Sequence, residues 1–279
     1  MVKYKIIKYG NEYNKWKKEN QYYGKQISIL GDSISTLNGY NPRGYNIFYD
    51  EEKCKQSGVN TYEDTWWGKV IDFFGGELLI NNSWSGSRVA KLPDSDRLFP
   101  SGCSDERTGK LHIKRKIKDI VPNVIIIYLG TNDWGFGTML GNNKSDFCDE
   151  TYFAYAYSEM LRKVILNYPN SEIWCCSLAS TYMYSNQNFK FPYSYAGTHI
   201  VKYNDVIKEN VEAYKGKAEG EIKYVDLYRY NMPYDTIDGI HPNLWGMNTL
   251  ALLVLQETAG DEGIKFLNIY LHFQQTILQ

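Results

Sequence analysis

The run Asn123 to Leu129 (NVIIIYL) is apolar without a break from Val124 onward and dense in β-branched residues. A strand with one wet face alternates apolar and polar side chains. An uninterrupted run of this length belongs instead to a strand covered on both faces, as in parallel sheets flanked by helices. The rest of the chain offers neighbours for it. Gln26 to Leu30 (QISIL) is a second short apolar run, ended by Gly31, and Tyr62 to Phe74 carries Trp66, Val70, Phe73 and Phe74 at helical spacing. The same logic predicts strands over Glu77 to Ile80, Glu172 to Ser177 and Ile222 to Leu227. Helices are predicted over Leu111 to Ile120, Thr151 to Leu166, Thr198 to Tyr214 and Leu244 to Thr258. Strands alternating with helices through right-handed crossovers give an α/β class chain, a three-layer α/β/α sandwich on a five-stranded parallel sheet.

No Pro- or Ser-rich linker interrupts this pattern, so one domain over 25–260 is expected, with residues 1–24 and 261–279 as extensions. Three connections, 38–61, 134–148 and 181–195, exceed ordinary loop lengths and are rich in aromatics, Gly and Asn. Each follows a strand, where long loops tend to build functional walls or lids.

The 279 residues carry 31 Lys and Arg against 32 Asp and Glu, a net charge of -1. With no global positive field, neither a nucleic acid nor an anionic membrane is expected as partner. No apolar run approaches the ~20 residues that span a bilayer. The first twenty residues lack the apolar stretch of a secretory leader, so a chain beginning at its natural start is expected in the cytoplasm. Five Cys without a CxxC pair suggest neither a disulfide framework nor structural zinc.

In an open parallel sheet, ligands bind beyond the carboxyl ends of the strands. The polar clusters of this chain fall there: Gly31-Asp32-Ser33-Ile34-Ser35, Asn82-Ser83-Trp84-Ser85-Gly86, Gly130-Thr131-Asn132-Asp133 and Asp238-Gly239-Ile240-His241-Pro242. Any one of them reads as an ordinary turn or helix cap. Together they supply what acyl transfer by a hydroxyl needs: a nucleophile (Ser33), a base (His241), a carboxylate to orient the base (Asp238), and donors for an oxyanion (Ser33 N–H, Gly86 N–H and the Asn132 amide).

These four blocks, in this order, resemble those of the SGNH hydrolases, also called GDSL esterases and lipases. Ile34 stands where that family usually has Leu. The resemblance implies a flavodoxin-like sandwich, a Ser33-His241-Asp238 triad, and Gly86 and Asn132 as oxyanion donors. It also implies an acyl-enzyme intermediate with no metal or organic cofactor. The substrate implied is a small-molecule or carbohydrate ester, with a short-chain or carbohydrate-linked acetyl group favoured.

Arg88, two residues past Gly86, stands close enough to reach a polar or acidic substrate group. Trp84 and Trp134, with Tyr40, Tyr45 and Phe136, are expected along the cleft rim, where aromatic rings stack on sugars or wall an acyl pocket. Asp32 and Asp133 are expected to shape loops. Two other readings remain open. Strand-end Asp32, Asn132, Asp238 and His241 could ligate metal in a phosphoesterase, although neither Asp32 nor Asn132 has the nearby His such a site uses; a glycan-binding module on a hydrolase scaffold is the other.

Overall fold

A computed structural model describes residues 2–92, 100–141, 148–182, 191–194 and 196–267, with 2–9 described as backbone only. The strands are β1 (Gln26–Gly31), β2 (Glu77–Asn81), β3 (Val124–Tyr128), β4 (Glu172–Cys176), β5 (Thr181–Tyr182), β6 (Ile222–Val225) and β7 (Tyr234–Asp235). The helices are α1 (Val2–Glu19), α2 (Glu51–Ser57), α3 (Trp66–Phe74), α4 (Asp105–Gly109), α5 (Thr131–Phe136), α6 (Phe153–Asn167), α7 (Val201–Tyr214) and α8 (Leu244–Thr258).

Five strands form one parallel sheet in the order β2-β1-β3-β4-β6, while β5 and β7 pair as a separate short ribbon. The run that opened the sequence reading is the central strand β3, buried at every position. Its side chains divide by parity, as a pleated strand requires. Val124, Ile126 and Tyr128 pack with α3 and α8 on one face, and Ile125 and Ile127 with α6 and α7 on the other. The three-layer sandwich, its five parallel strands and its flavodoxin-like order are as expected.

Local chemistry sets the helix ends. Thr65 Oγ1 accepts the Gly68 amide at the start of α3, and Gly75 closes that helix in the left-handed region at φ +70°. Asn243 Oδ1 accepts the Gly246 amide at the start of α8, two residues after His241.

One predicted helix is absent. Leu111 to Ile120 folds instead as a tight excursion closed by an antiparallel bridge between Ile113 and Ile120. Its cations fall at like-charge i,i+4 pairs, Lys110 with Lys114 and Lys114 with Lys118, which disfavour a helix. The Leu111 amide is taken by the Tyr168 hydroxyl at 2.9 Å, and the Arg115 amide by Asp119 at 2.9 Å. Conversely, parts of the long connections are helical as α2 and α5; residues 142–147, 183–190 and 195 of those connections lie outside the described residues.

The segment before β1 packs against the sheet's own helices. Tyr13 donates its hydroxyl to Phe73 O at 3.0 Å, the rings of Trp16 and Phe73 lie 5.0 Å apart, and buried Tyr22 donates to Glu172 at 2.9 Å. Among the described residues no helix is long and apolar enough to cross a membrane.

Candidate active site

The helix following β1 lies on one face of the sheet and the helix following β3 on the other, so the chain parts at the carboxyl ends of these neighbouring strands. Ser33 follows β1 and Asn132 follows β3, which places both at that crevice.

Ser33 opens a single 3-10 turn of residues 33–35. Asp32 caps the turn by accepting the Ile34 amide at 3.1 Å, and the Thr36 hydroxyl donates to Ser33 O at 2.9 Å. The serine is 4% exposed. Its Oγ lies 2.8 Å from His241 Nε2, and His241 Nδ1 lies 2.7 Å from Asp238 Oδ2. A hydroxyl, an imidazole and a carboxylate therefore stand in series.

The three-residue separation of Asp238 and His241 works because the loop doubles back at Gly239, whose φ of +96° favours a residue without Cβ. The second Asp238 oxygen accepts the amides of Ile240 at 3.1 Å and His241 at 2.8 Å. Partial burial would raise the Asp238 carboxyl, but hydrogen bonds and charge from His241, with the two amides, hold it below its ordinary value. On the far side, the loop is held by Tyr49, which donates to Pro242 O at 2.6 Å, and by Tyr234, which donates to Ile240 O at 2.9 Å.

Gly86 also sits in the left-handed region, at φ +83°. Neither its amide nor that of Ser33 donates to an acceptor among the described residues. Asn132 donates from Nδ2 to Ser87 O at 3.0 Å, which puts its side chain against the residue next to Gly86 and leaves a second N–H on the same nitrogen. Asp133, fully buried, accepts the amides of Val89 at 2.7 Å and Ala90 at 3.1 Å and so fixes the strand-two loop to α5. Burial pushes both loop carboxyls upward, Asp32 to about 7 and Asp133 to about 7, against the amides they accept.

The expected rim is only partly as read from sequence. Trp134 is 3% exposed and donates to Thr198 O at 3.1 Å, so it packs behind the loop and has no face for a substrate; an indole at the second turn of α5 points into the sandwich. Trp84 is half-buried with its ring 4.2 Å from that of Tyr45. Tyr40 packs edge-on to Trp67. Phe136 is 62% exposed and carries the Arg88 guanidinium 4.9 Å from its ring centre.

Two important residues went unread in the sequence. Phe48 stacks on His241, and Arg107, fully buried, donates to Gly31 O, Asn82 O, Pro100 O and Ser87 Oγ, tying the ends of β1 and β2 together. Phe48 lies in a connection flagged for its aromatics. Arg107 sits in SDERTGK, a stretch indistinguishable from a solvated charged helix.

A serine hydroxyl in series with an imidazole and a carboxylate, at the switch point of a parallel sheet and beside two open amides, is the arrangement of serine acyl hydrolases as a class. The profile of the family described as GDSL-like lipase/acylhydrolase matches residues 25–212, and the chain belongs to that family. Its structure is similar to that of a GDSL-like lipase candidate from Bacteroides ovatus, at 27% identity and TM-score 0.61, covering 83% of this chain and 96% of that one. It shares its fold with a family two carbohydrate esterase from Clostridium thermocellum solved in complex with cellohexaose, at 17% identity and TM-score 0.54, covering 88% of this chain and 66% of that one. A 56-residue stretch is 39% identical to cellulase/esterase CelE of Acetivibrio thermocellus; the match spans 20% of this chain and 6% of that protein.

Proposed function

We propose that the protein is a serine esterase that cleaves short acyl groups, acetyl foremost, from small or carbohydrate-linked esters through an acyl-enzyme. The observation that carries this reading is the unbroken series Ser33 Oγ, His241 Nε2, His241 Nδ1, Asp238 Oδ2, with links of 2.8 and 2.7 Å. Ser33 attacks the ester carbonyl while His241 takes its proton. Asp238 holds the ring with Nδ1–H toward itself and stabilises the imidazolium that forms. The amides of Ser33 and Gly86 and the free Asn132 N–H receive the oxyanion. His241 then protonates the leaving alcohol, and water, activated by the same imidazole, releases the acid and restores Ser33.

A carbohydrate alcohol suits the exposed rings nearby. Phe136 lies on the helix that carries Asn132, Tyr182 on the ribbon leading to the Asp238 loop, and Trp245 four residues past His241. We take 25–260 as the catalytic domain, with the helix before it as a brace.

The test is hydrolysis of p-nitrophenyl acetate, butyrate and octanoate by wild type and Ser33→Ala, with and without EDTA. Turnover that falls with chain length, ignores EDTA and vanishes in Ser33→Ala is expected. EDTA-sensitive turnover retained by Ser33→Ala would favour metal-assisted chemistry and overturn the serine reading.

A further inference from the structure

Among the described residues Arg88 makes no ion pair. Its guanidinium is half-buried and donates one hydrogen bond, from Nη1 to the neutral Thr138 hydroxyl at 3.3 Å. No carboxylate lies within ion-pairing distance of it among the described residues. Its charge is felt by Asp133, but the oxygens of that carboxyl already accept the amides of Val89 and Ala90 and the Thr138 hydroxyl. A partly desolvated cation with open donors is costly unless something neutralises it.

Its position relative to the oxyanion donors is fixed by two independent routes. Along the chain, Arg88 is two residues beyond Gly86. Through α5, its guanidinium rests on Phe136, and Phe136 follows Asn132 by four residues within one helix, hence on the same face and about 5–6 Å along it. With the ring on one side of it and one bond from Nη1 to Thr138, the guanidinium keeps further N–H donors to meet a ligand, and a planar fork of N–H groups matches a carboxylate in bidentate fashion.

We propose that Arg88, seated on Phe136, forms a subsite for a carboxylate carried by the substrate, one helical turn from the oxyanion hole. This deepens the esterase reading and rests on it for the reaction, though not for binding. The substrate class it names is an ester bearing an acidic group, such as an acetylated uronic acid or a dicarboxylic half-ester.

Two matched substrate pairs test it. One sets acetylated methyl galacturonoside against the methyl ester of its C6 carboxyl, read by acetate release; the other sets mono-p-nitrophenyl glutarate against p-nitrophenyl butyrate. The expected result is at least a tenfold preference in kcat/KM for the anionic member of one pair, which identifies whether the alcohol or acyl side reaches Arg88. That preference should shrink as salt rises from 0.05 to 0.5 M, collapse toward unity in Arg88→Gln, and survive in part in Arg88→Lys. Calorimetry on Ser33→Ala supplies a readout free of turnover. Methyl galacturonoside or glutarate should bind it and lose at least tenfold in affinity in Ser33→Ala/Arg88→Gln. Equal kcat/KM within both pairs, or anion binding unchanged by Arg88→Gln, overturns the subsite. Arg88-dependent binding by a folded protein that hydrolyses no ester would uphold the subsite and count against the esterase reading instead.

Discussion

The imidazole of His241 lies flat on the ring of Phe48, the two centroids 3.4 Å apart and the planes within 9° of parallel. The ring reaches that position through the nucleophile's own turn. The Phe48 amide donates to Thr36 Oγ1 at 2.9 Å, and that hydroxyl donates in turn to Ser33 O at 2.9 Å. The next residue, Tyr49, donates to Pro242 O, immediately after His241. One short stretch of loop therefore spans both halves of the relay and sets the tilt of the imidazole between Ser33 and Asp238.

Phe48 is accordingly predicted to act as a positioning residue. An aromatic face also favours a cation by ~0.5–2 kcal/mol, so it steadies the imidazolium that forms as Ser33 loses its proton. Phe48→Ala should lower kcat roughly 10-fold or more with a smaller change in KM, ~1.4 kcal/mol or more on the barrier, and Phe48→Tyr should restore most of it. Steady-state kinetics on the two variants decide the matter, and equal kcat in wild type and Phe48→Ala would remove the role.

Asp238→Asn tests the orientation of the base without disturbing its surroundings. The asparagine oxygen can keep the amides of Ile240 and His241, which now bind Asp238 Oδ1, while its NH2 replaces the oxygen facing His241 Nδ1. Two donors then oppose each other unless the imidazole shifts its proton to Nε2, the nitrogen that must accept from Ser33. Turnover should fall by ~10³–10⁴ at a retained fold, with at most a modest drop in melting temperature from the lost carboxylate, as in serine enzymes with the same inversion. A loss below tenfold would mean that Asp238 does not set the tautomer.

The sheet and most of the relay were legible because their signals are local. A parallel strand buried on both faces is written as continuous apolar residues, and Gly31 to Ser35 or Asp238 to Pro242 carry their chemistry within five positions. What escaped depends on distance along the chain. Phe48 meets His241 across 193 residues, and Arg107 meets Gly31 across 76; each looks ordinary among its neighbours. Trp134 failed for a related reason, since a single residue on a six-residue helix has no periodicity to say whether it faces in or out. The Leu111 to Ile120 segment shows the converse, an apolar spacing overruled by like charges and a tyrosine hydroxyl from α6's end.

Stability is predicted to be greatest on the acid side of neutrality. Burial raises the Asp32 and Asp133 carboxyls from 3.8 to about 7, so the native state holds protons that the unfolded chain has already released. Their contribution is full below about pH 4 and is lost as pH rises through 7, at up to ~1.4 kcal/mol per pH unit for each group. Asp238 has the opposite sign: held below its ordinary value, it contributes above about pH 4 and loses that contribution as pH falls further. Melting temperature should therefore decline between about pH 4.5 and 7 and level off above about pH 8. Asp32→Asn is the cleaner variant, because one of its oxygens accepts the Ile34 amide and the other has no hydrogen-bond partner among the described residues. It should flatten that decline in a pH series of thermal unfolding, and a parallel decline in the variant would show that Asp32 is ionised in the native protein.

Arg107 is where stability and geometry of the site meet. Burial lowers its guanidinium to about 10, against the nearby charges of Tyr45, Asp32 and Glu106, so it remains a cation at neutral pH. It is offset by an array of oxygens: Gly31 O at 2.6 Å, Ser87 Oγ at 2.6 Å, Pro100 O at 3.1 Å and Asn82 O at 3.2 Å. Gly31 precedes the Ser33 turn by two residues and Ser87 follows Gly86, so one planar group sets the spacing between nucleophile and oxyanion donor. A lysine cannot span these acceptors, since its ammonium is a point donor without the fork. Arg107→Lys should cost ~3 kcal/mol by leaving buried carbonyls unpaired. At the retained fold it should also lower kcat more than it raises KM, because the oxyanion donors engage only as the tetrahedral centre forms. Thermal unfolding and steady-state kinetics on the same preparation separate the two effects; an Arg107→Lys protein that is destabilised yet keeps wild-type kcat would confine this guanidinium to holding the fold.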